Sequence, residues 1–509
     1  MNTAKNKILV AVLLAVGATA GFLVLQQQPE PEVAQTSDSN WWNPGSGEFF
    51  GAELHYPNAQ GELGIVSNTP LSTAGHPFFE AIGTNGRACV TCHQPADAMS
   101  LSVKTIQQRW DETGGSDPLF AMVDGANCPN LPPADPASHS LLLENGLFRI
   151  GQPWPPRSGV KPEFTLEVVE DPTGCNLDPT YGLNSATPTV SVFRRPRMSA
   201  NLRYVTTSFS LSGRFDGKRG LPLAIDQKTG QRVGLPIMSD ARHQTLEAQA
   251  RDAIAGHMQG TGPFPDELIA QIVDFESNIY AAQSADKLAG AFNASDTPRA
   301  LGPVALRDGN AIVAGFNYNN PVFFDFESWK SSNNDIGGAS AEFRASVARG
   351  YAIFFERPMW ISDVSWFNSI GMGNPYKRAC AICHSVHMTG SDISPGVMDI
   401  GVNNVATQVL GAPKLPVFKV TCSEDSPPHP YLGREILTTD PGYALISGKC
   451  IDVGSLVMQQ MRGLSARAPY FSNGSASNLA EVVEFYDKRF NMQMTDQEKT
   501  DLVNFMSVL

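Results

Sequence analysis

The chain has 509 residues and a formal net charge of −13, and charged residues make up 17% of it. This length is enough for two or three domains with complete hydrophobic cores. Charges of both signs are dispersed and form no basic stripe, which argues against a nucleic-acid-binding protein. An acidic surface suits a basic partner protein, although such surfaces are common in soluble proteins generally.

The N-terminal segment predicts export. Lys5 and Lys7 precede an apolar run from Ile8 to Leu25, as in a signal sequence. Residues 18–20 (Ala-Thr-Ala) offer a cleavage site, but the run continues past them and is just long enough to span a bilayer. We therefore expect residues 1–28 to be either a signal peptide or an anchor in the inner membrane. In both cases the rest of the chain lies in the periplasm.

Residues 29–75 are rich in Gln, Pro, Ser and Asn and are interpreted as a linker and an irregular arm. The motif Cys-x-x-Cys-His follows, and its spacing is that of covalent c-type haem attachment. Two thiols one helical turn apart reach both haem vinyl groups, and the next imidazole falls beneath the iron. One copy alone could be a redox dithiol or half of a zinc site. The chain has two copies, which favours two haems: Cys89, Cys92 and His93, and Cys380, Cys383 and His384.

The surroundings of the two motifs indicate a tandem duplication. Residues 341–355 predict a helix before the second motif, and residues 263–275 and 494–505 predict similar closing helices with acidic first turns. We expect one haem domain over residues 76–285 and another over 341–509, joined by residues 286–340. The predicted fold is mainly α, with two cytochrome c-like domains and long irregular insertions, of which residues 96–185 are the largest.

Four cysteines lie outside the haem motifs: Cys128, Cys175, Cys422 and Cys450. Export makes disulfides plausible, and free buried thiols are the alternative. The local pairs are 128 with 175 and 422 with 450.

Gln249, Ala253 and His257 are spaced four residues apart on a predicted helix that Thr245 could cap. If this face covers the first haem, His257 could move a proton during cleavage of a bound peroxide, and Gln249 could orient the oxygen. The alternative is a histidine that caps the helix C-terminus beside Gly256, where positive charge is favoured.

Tyr486 lies on the apolar stripe of a helix that a capping box, Asn478 to Glu481, predicts. Its hydroxyl needs a partner, and a haem iron is one candidate; an ordinary core tyrosine is the alternative. Four other side chains are rival ligands for the second iron: Met458, Met461, Met492 and His387.

A turn rich in Arg and Gly could hold haem propionates through Arg462 or Arg467, and a polar interdomain loop is the alternative.

Together these residues resemble the bacterial di-haem cytochrome c peroxidase family, including its MauG-like branch. The family's Leu-Arg-Asn, Ala-Pro-Tyr-Phe-His-Asn-Gly-Ser and Glu-Val-Val-x-Phe-Tyr segments read here Met-Arg-Gly (461–463), Ala-Pro-Tyr-Phe-Ser-Asn-Gly-Ser (468–475) and Glu-Val-Val-Glu-Phe-Tyr (481–486). A Met ligates the second haem in ordinary members and a Tyr does so in the MauG-like branch. The resemblance thus implies that Tyr486 is the distal ligand of the second haem.

The first half departs from the family pattern at three positions. The Trp thought to bridge the haems is Phe215, so electrons would need another route, through Trp154 or Trp366. The loop proline is Ala253, and the distal acid falls at or beside His257. The resemblance also implies a calcium ion between the domains, for which no ligands are assigned.

The resulting hypothesis is an exported di-haem oxidoreductase that activates hydrogen peroxide at a high-spin first haem. The second, His/Tyr-ligated haem would relay electrons or store an oxidising equivalent, as in bis-Fe(IV) chemistry. The expected partner is a small donor protein (a cytochrome or cupredoxin) or a protein substrate; homodimerisation stays open. The alternatives are a haem-dependent oxygenase of the rubber-oxygenase type and a non-catalytic electron-transfer cytochrome.

Overall fold

A computed structural model describes residues 40–156, 159–206, 237–309, 325–330, 338–365, 373–384, 389–390 and 397–509, and the backbone of strands at 209–215 and 222–223. The predicted export segment and His387 lie outside these ranges, as do Trp366 and the Phe215 side chain. No helix in the described ranges is long and apolar enough to cross a membrane.

The described residues contain α-helices of 4 to 18 residues. Their bounds are α1 Val103–Thr113, α2 Ser140–Asn145, α3 Leu202–Val205, α4 Leu246–Gly256, α5 Asp266–Ser277, α6 Pro303–Gly309, α7 Ala339–Glu356, α8 Ala444–Ser447, α9 Leu479–Arg489 and α10 Asp496–Ser507. Helices α4, α5, α7, α9 and α10 are those that the sequence predicts.

Strands alternate with these helices along the chain. They are β1 Phe49–Phe50, β2 Glu53–Pro57, β3 Gly61–Ser67, β4 Leu71–Ser72, β5 Phe148–Pro153, β6 Phe164–Glu170, β7 Thr189–Arg194, β8 Phe209–Phe215, β9 Pro222–Leu223, β10 Ile279–Asp286, β11 Gly290–Ala291, β12 Met359–Ile361, β13 Tyr376–Arg378, β14 Val397–Met398, β15 Val417–Cys422, β16 Glu435–Thr438 and β17 Leu456–Val457. All of their pairings are antiparallel.

The prediction of a mainly α fold is wrong. The structure is only 31% helical, and 19% of it is in strands. The largest described sheet has the order β11-β10-β3-β2, and a second has the order β16-β15-β6. Strands β2 and β3 lie in the segment interpreted as an irregular arm, but β3 pairs along its whole length with β10, directly after α5. A distant partner therefore buries Leu63 and Ile65, which local composition does not reveal.

The two motif regions share one packing arrangement. In the first, the ring of Phe78 lies 4.6 Å from that of Phe275 on α5 and 6.4 Å from that of His93. In the second, Phe354 lies 5.5 Å from Phe505 on α10 and 5.8 Å from His384. This agrees with the predicted internal repeat. The domain boundaries drawn from it stay a prediction.

The expected disulfides are present, and they join the local pairs that the sequence left as one possibility. Cys128 is bonded to Cys175, and Cys422 to Cys450. The first bond staples the insertion that follows the first motif. The second fastens the end of β15 to the short helical turn at Cys450–Asp452.

Candidate haem-binding cavities

Each Cys-x-x-Cys-His motif lines a cavity. The first cavity measures about 190 Å³ and is lined by Cys89, Cys92 and His93, while the second measures about 170 Å³ and is lined by the equivalent residues of the second motif, Cys380, Cys383 and His384. The four motif cysteines form no disulfide, whereas the other four cysteines are paired in disulfides. Thiols that face a cavity and are outside disulfides fit covalent attachment to a haem.

The same backbone turn presents both motifs. Single 3₁₀ turns cover Cys89–Thr91 and Cys380–Ile382. In each, the histidine N–H donates to the carbonyl of the first cysteine, at 3.1 Å for both His93 and His384. This folds the two thiols and the imidazole towards one side, as the spacing predicts.

Both motif histidines are fixed through one ring nitrogen. Nδ1 of His93 lies 3.0 Å from the carbonyl oxygen of Met99, and Nδ1 of His384 lies 2.8 Å from that of Gly390. In both cases the acceptor is six residues further along the chain. Such a bond fixes the tautomer and leaves Nε2 for a metal. Burial lowers the pKa of His93 to about 4 and also lowers that of His384, which keeps both rings neutral, as ligation requires.

Helix α4 forms part of the first cavity wall, and the three residues singled out on it all line the cavity. These are Gln249, Ala253 and His257. The Thr245 side chain accepts from the N–H of residue 248, so the predicted cap is present. His257 is the C-cap residue of α4, and its N–H donates to the Ala253 carbonyl at 2.9 Å. It therefore occupies both the predicted wall position and the helix end.

The structure adds a partner for His257 that the sequence did not indicate. Nδ1 of His257 lies 2.5 Å from Oδ2 of Asp124, whose other oxygen pairs with Arg87. Arg87 is in turn held by the carbonyls of Pro118 and Leu119, both at 2.7 Å. Burial raises the pKa of Asp124, but Arg87 and His257 outweigh this and hold it below its usual range. Asp124 therefore stays ionised beside the imidazole.

The loop that precedes the first motif holds the backbone of His257. The Asn85 amide donates to the His257 carbonyl at 2.8 Å, and the Thr84 N–H donates to the Met258 carbonyl at 3.1 Å. A Cβ on Gly83 would lie 1.7 Å from that Met258 oxygen. Only glycine allows this close approach, so Gly83 has a direct part in placing His257.

Tyr486 on α9 lines the second cavity. Its ring lies 6.5 Å from the His384 ring at an interplanar angle of 79°, and both rings line the cavity. This spacing is compatible with a metal ion held between a ring nitrogen and the phenol oxygen. Burial raises the pKa of Tyr486. The rivals Met458, Met461 and Met492 line the same cavity, so the assignment of Tyr486 as the ligand stays a prediction.

The cap of α9 differs from the predicted box by one residue. The Asn478 side chain accepts from the Glu481 N–H at 3.0 Å, as expected. The Glu481 carboxylate, however, accepts from the N–H of Ser477, at 2.7 Å, and not from that of Asn478. The helix still begins where the sequence predicts.

Arg462 lines neither cavity and is fully buried. Several arginines do lie on the walls. Arg87 and Arg194, on the first wall, are paired with aspartates. Three others lack such a partner: the buried Arg195 on both walls, the half-buried Arg197 on the first and the buried Arg467 on the second. Burial lowers the pKa of each of these three to about 10, and none forms an ion pair with a described carboxylate. Buried cations require anions. Haem propionates supply such anions, so these walls fit the group that the motifs imply.

The two cavities share part of their walls, through Arg195, Pro196, Ser239 and Gln460. Trp154, one of the two expected bridging residues, lines neither cavity and packs on Phe164 with ring centroids 5.2 Å apart.

No cluster of three or more potential ligands among His, Cys, Asp and Glu occurs in the described ranges, and the calcium ion stays a prediction.

No family model matches the chain, and no curated protein matches it. Among solved structures it is similar to a MauG-like protein associated with microbial copper homeostasis, at 15% identity and a TM-score of 0.25, over 61% of this chain and 89% of that one. It is also similar to Kuenenia stuttgartiensis hydrazine synthase pressurized with xenon, at 12% identity and a TM-score of 0.28, over 80% and 93% of the two chains. Similarity at this level establishes neither a shared fold nor a shared function.

Proposed function

We propose that this protein is a di-haem c-type oxidoreductase that activates hydrogen peroxide in the first cavity. The second cavity, closed by Tyr486, would relay electrons or store an oxidising equivalent. The observation that carries the proposal is the difference between the two cavities. The first has an imidazole–carboxylate pair on its wall, His257 and Asp124, whereas the second presents a phenol to its motif histidine.

The chain's own residues would hold the two groups. Cys89 and Cys92 would form the thioether links of the first haem, with His93 as ligand, and the second motif would do the same for the second haem. Arg195, Arg197 and Arg467 would neutralise the propionates. A bound haem supplies a redox-active iron whose reactivity the surrounding protein tunes.

His257 is the proposed proton carrier of the first cavity. Because its Nδ1 is engaged by Asp124, its Nε2 is the atom left to take a proton from peroxide and return it to the departing oxygen. Asp124 fixes the ring orientation and stabilises the imidazolium that forms. The Gln249 amide both donates and accepts, so it can orient the second oxygen atom.

Tyr486 would close the far side of the second site. A phenol oxygen is an anionic ligand when it binds iron, and it stabilises oxidised iron better than a thioether does. His384 and Tyr486 together would leave no open coordination position there. The second site would then exchange electrons with a partner and would not bind peroxide itself.

The proposed location is the periplasm, and the partner a small electron-donor protein or an oxidisable protein. The two disulfides support an oxidising compartment, because such bonds are rare in the cytosol.

The test is electron paramagnetic resonance of the oxidised protein before and after one equivalent of hydrogen peroxide. One high-spin and one low-spin ferric signal, both lost on addition, would support the proposal. Two low-spin signals unaffected by peroxide would leave only an electron-transfer cytochrome. The His257→Gln variant should show the same starting signals and a much slower loss.

A further inference from the structure

A second acid lies on the wall of the first cavity, and the function proposed above does not use it. Glu276 is on α5 and is 3% exposed. Its Oε2 accepts from the Ser199 hydroxyl at 2.9 Å, whereas its Oε1 has no hydrogen-bond partner among the described residues. No described Lys or Arg forms an ion pair with it. A buried polar atom without a partner is costly, so this one requires an explanation.

The internal repeat shows that the fold does not need an acid here. Phe275 on α5 corresponds to Phe505 on α10, so Glu276 corresponds to Met506. Ile272 and Glu276 line the first cavity, and their equivalents Leu502 and Met506 line the second. An apolar side chain therefore fills the same position in the other half, and the carboxyl group is specific to the first cavity.

The surroundings of Glu276 keep it uncharged at neutral pH. Burial raises its pKa to about 8; the Ser199 hydrogen bond opposes this, and the charge of Glu247 on α4 adds to it. The Cys89 thiol interacts with it electrostatically. The guanidinium of Arg203 donates to the next residues of the chain, at the Ser277 carbonyl and the Asn278 side-chain oxygen. Asp274 lies on the same helix. The carboxyl thus holds a proton that no cation has displaced.

We propose that Glu276 exchanges a proton as the charge of the first haem changes. When the iron gives up an electron to an external oxidant, the carboxyl releases its proton to solvent; on reduction the electron and the proton both return. The inference rests on the part of the proposed function that places a haem in this cavity, and it does not depend on peroxide reactivity. It gives the cavity a proton source distinct from the pair of His257 and Asp124.

The direction of the effect follows from Coulomb's law. The ferric iron carries one more positive charge than the ferrous iron, so it stabilises the carboxylate and lowers the pKa of Glu276. Between the ferric and ferrous pKa values the midpoint potential should fall as pH rises. The slope of the midpoint potential against pH cannot exceed 59 mV per pH unit when one proton is exchanged for each electron.

The experiment is a redox titration of the holoprotein, followed at the absorbance of the high-spin haem, at pH values on both sides of 8. The variants are Glu276→Gln, Glu267→Gln (an exposed carboxylate on the same helix) and His257→Gln. Wild type and Glu267→Gln should show a falling potential. Glu276→Gln should match them at acid pH and lie above them at alkaline pH, because it has no anion to stabilise ferric iron. When His257→Gln is also present, Glu276→Gln should change the pH dependence of the potential by the same amount as it does in wild type.

Equal pH slopes in wild type and Glu276→Gln, with both haems present, would overturn the inference alone. A haem count of one, or a first haem without a high-spin signature, would overturn the proposed function with it. A second readout needs no variant: the infrared carbonyl band of a protonated carboxyl should disappear when wild type is oxidised at neutral pH. If Glu276→Gln does not fold, the infrared band of wild type tests the inference on its own. Persistence of the band after oxidation would contradict the inference.

Discussion

Nδ1 of His257 lies 2.5 Å from Oδ2 of Asp124, a residue 133 positions earlier in the chain. The carboxylate comes from the insertion after the first motif, and the imidazole comes from the end of α4. Arg87, two residues before Cys89, fixes the other oxygen of the carboxylate. Three separate segments thus converge at one corner of the first cavity.

Asp124→Asn should slow the reaction of the first haem with peroxide by about 10²–10⁴-fold, since His257 loses the group that orients it and supports its charge. Stopped-flow absorbance of the holoprotein measures this rate. Asp111→Asn, which removes an exposed carboxylate from α1, is the control and should leave the rate unchanged. Loss of Asp124 also leaves Arg87 buried without its counter-charge, so haem content must be verified. A normal rate in a fully loaded Asp124→Asn protein would contradict the role of the pair.

Gly83→Ala should displace His257 without touching it. The added Cβ would meet the Met258 carbonyl at 1.7 Å, and the backbone must shift to relieve the contact. We expect a loss of about 1–3 kcal/mol in the free energy of unfolding, together with slower peroxide reactivity. Gly411→Ala is the matched control, because a Cβ there meets nothing within 4 Å. Denaturant unfolding and stopped-flow rates check both effects; an unperturbed rate would mean that this loop does not position the imidazole.

Tyr486→Phe should remove one ligand of the second iron, so that the low-spin signal of this haem is lost or altered. Tyr470→Phe is the control: Tyr470 lines the same cavity, but its hydroxyl donates to the Leu464 carbonyl at 2.7 Å. Electronic absorption and paramagnetic resonance spectra make the comparison. If Tyr486→Phe keeps the wild-type spectrum and Met461→Leu changes it, methionine is the ligand.

Removing the first disulfide by Cys128→Ser and Cys175→Ser should cost about 2–4 kcal/mol of stability. The matched change at Cys422 and Cys450 should cost about 0.5 kcal/mol less in the chain-entropy account, because the bond spans 28 residues and not 47. Asp124 lies four residues before Cys128, so only the first double variant should also slow the peroxide reaction. Equal peroxide rates in the two double variants would show that the staple does not support Asp124.

The free energy of unfolding should depend on Glu276 in a pH-dependent manner. The pKa of this group is raised from 4.5 to about 8, so between these pH values the unfolded chain loses a proton that the folded chain keeps. The folded state therefore loses stability as pH rises through this range, by up to about 5 kcal/mol. In Glu276→Gln this loss is absent, and the stability gap over wild type should widen towards pH 8. Denaturant unfolding with the first haem reduced measures the gap; a gap independent of pH would contradict the raised pKa.

The parts that the sequence predicts correctly are those that depend on neighbouring residues. The haem motifs, the Thr245 cap and the closing helices need only short-range spacing, and each lies where it was expected. The prediction of an irregular arm was wrong because β3 depends for its pairing and burial on β10, which lies more than 200 residues away in the chain. Burial by a distant partner leaves no periodic trace in a stretch as short as Gly61–Ser67, where five consecutive residues are buried.

The candidate site likewise contains some residues that local sequence patterns predict and others that they do not. Helical spacing predicts that Gln249 and His257 lie on one face of a helix, and both line the first cavity. Asp124, in contrast, lies in a loop whose composition does not distinguish it from other turns. Arg195 and Arg197 follow a strand, and nothing local predicts that they lie on cavity walls. Glu276 was within reach of sequence reasoning: aligned with Met506 in the internal repeat, it is an acid where the other copy has an apolar residue.

Gln460, on the shared wall, joins the two halves physically. Its amide donates to the Ala200 carbonyl at 3.0 Å, and its oxygen accepts from the Thr389 hydroxyl at 3.0 Å. Ala200 directly follows Ser199 on the first cavity wall, and Thr389 directly precedes Gly390, which holds His384. With both haems in place, a charge created at one centre would act on the other through this thin, low-dielectric partition. The two potentials would then be interdependent, because oxidation of one centre would raise the potential of the other.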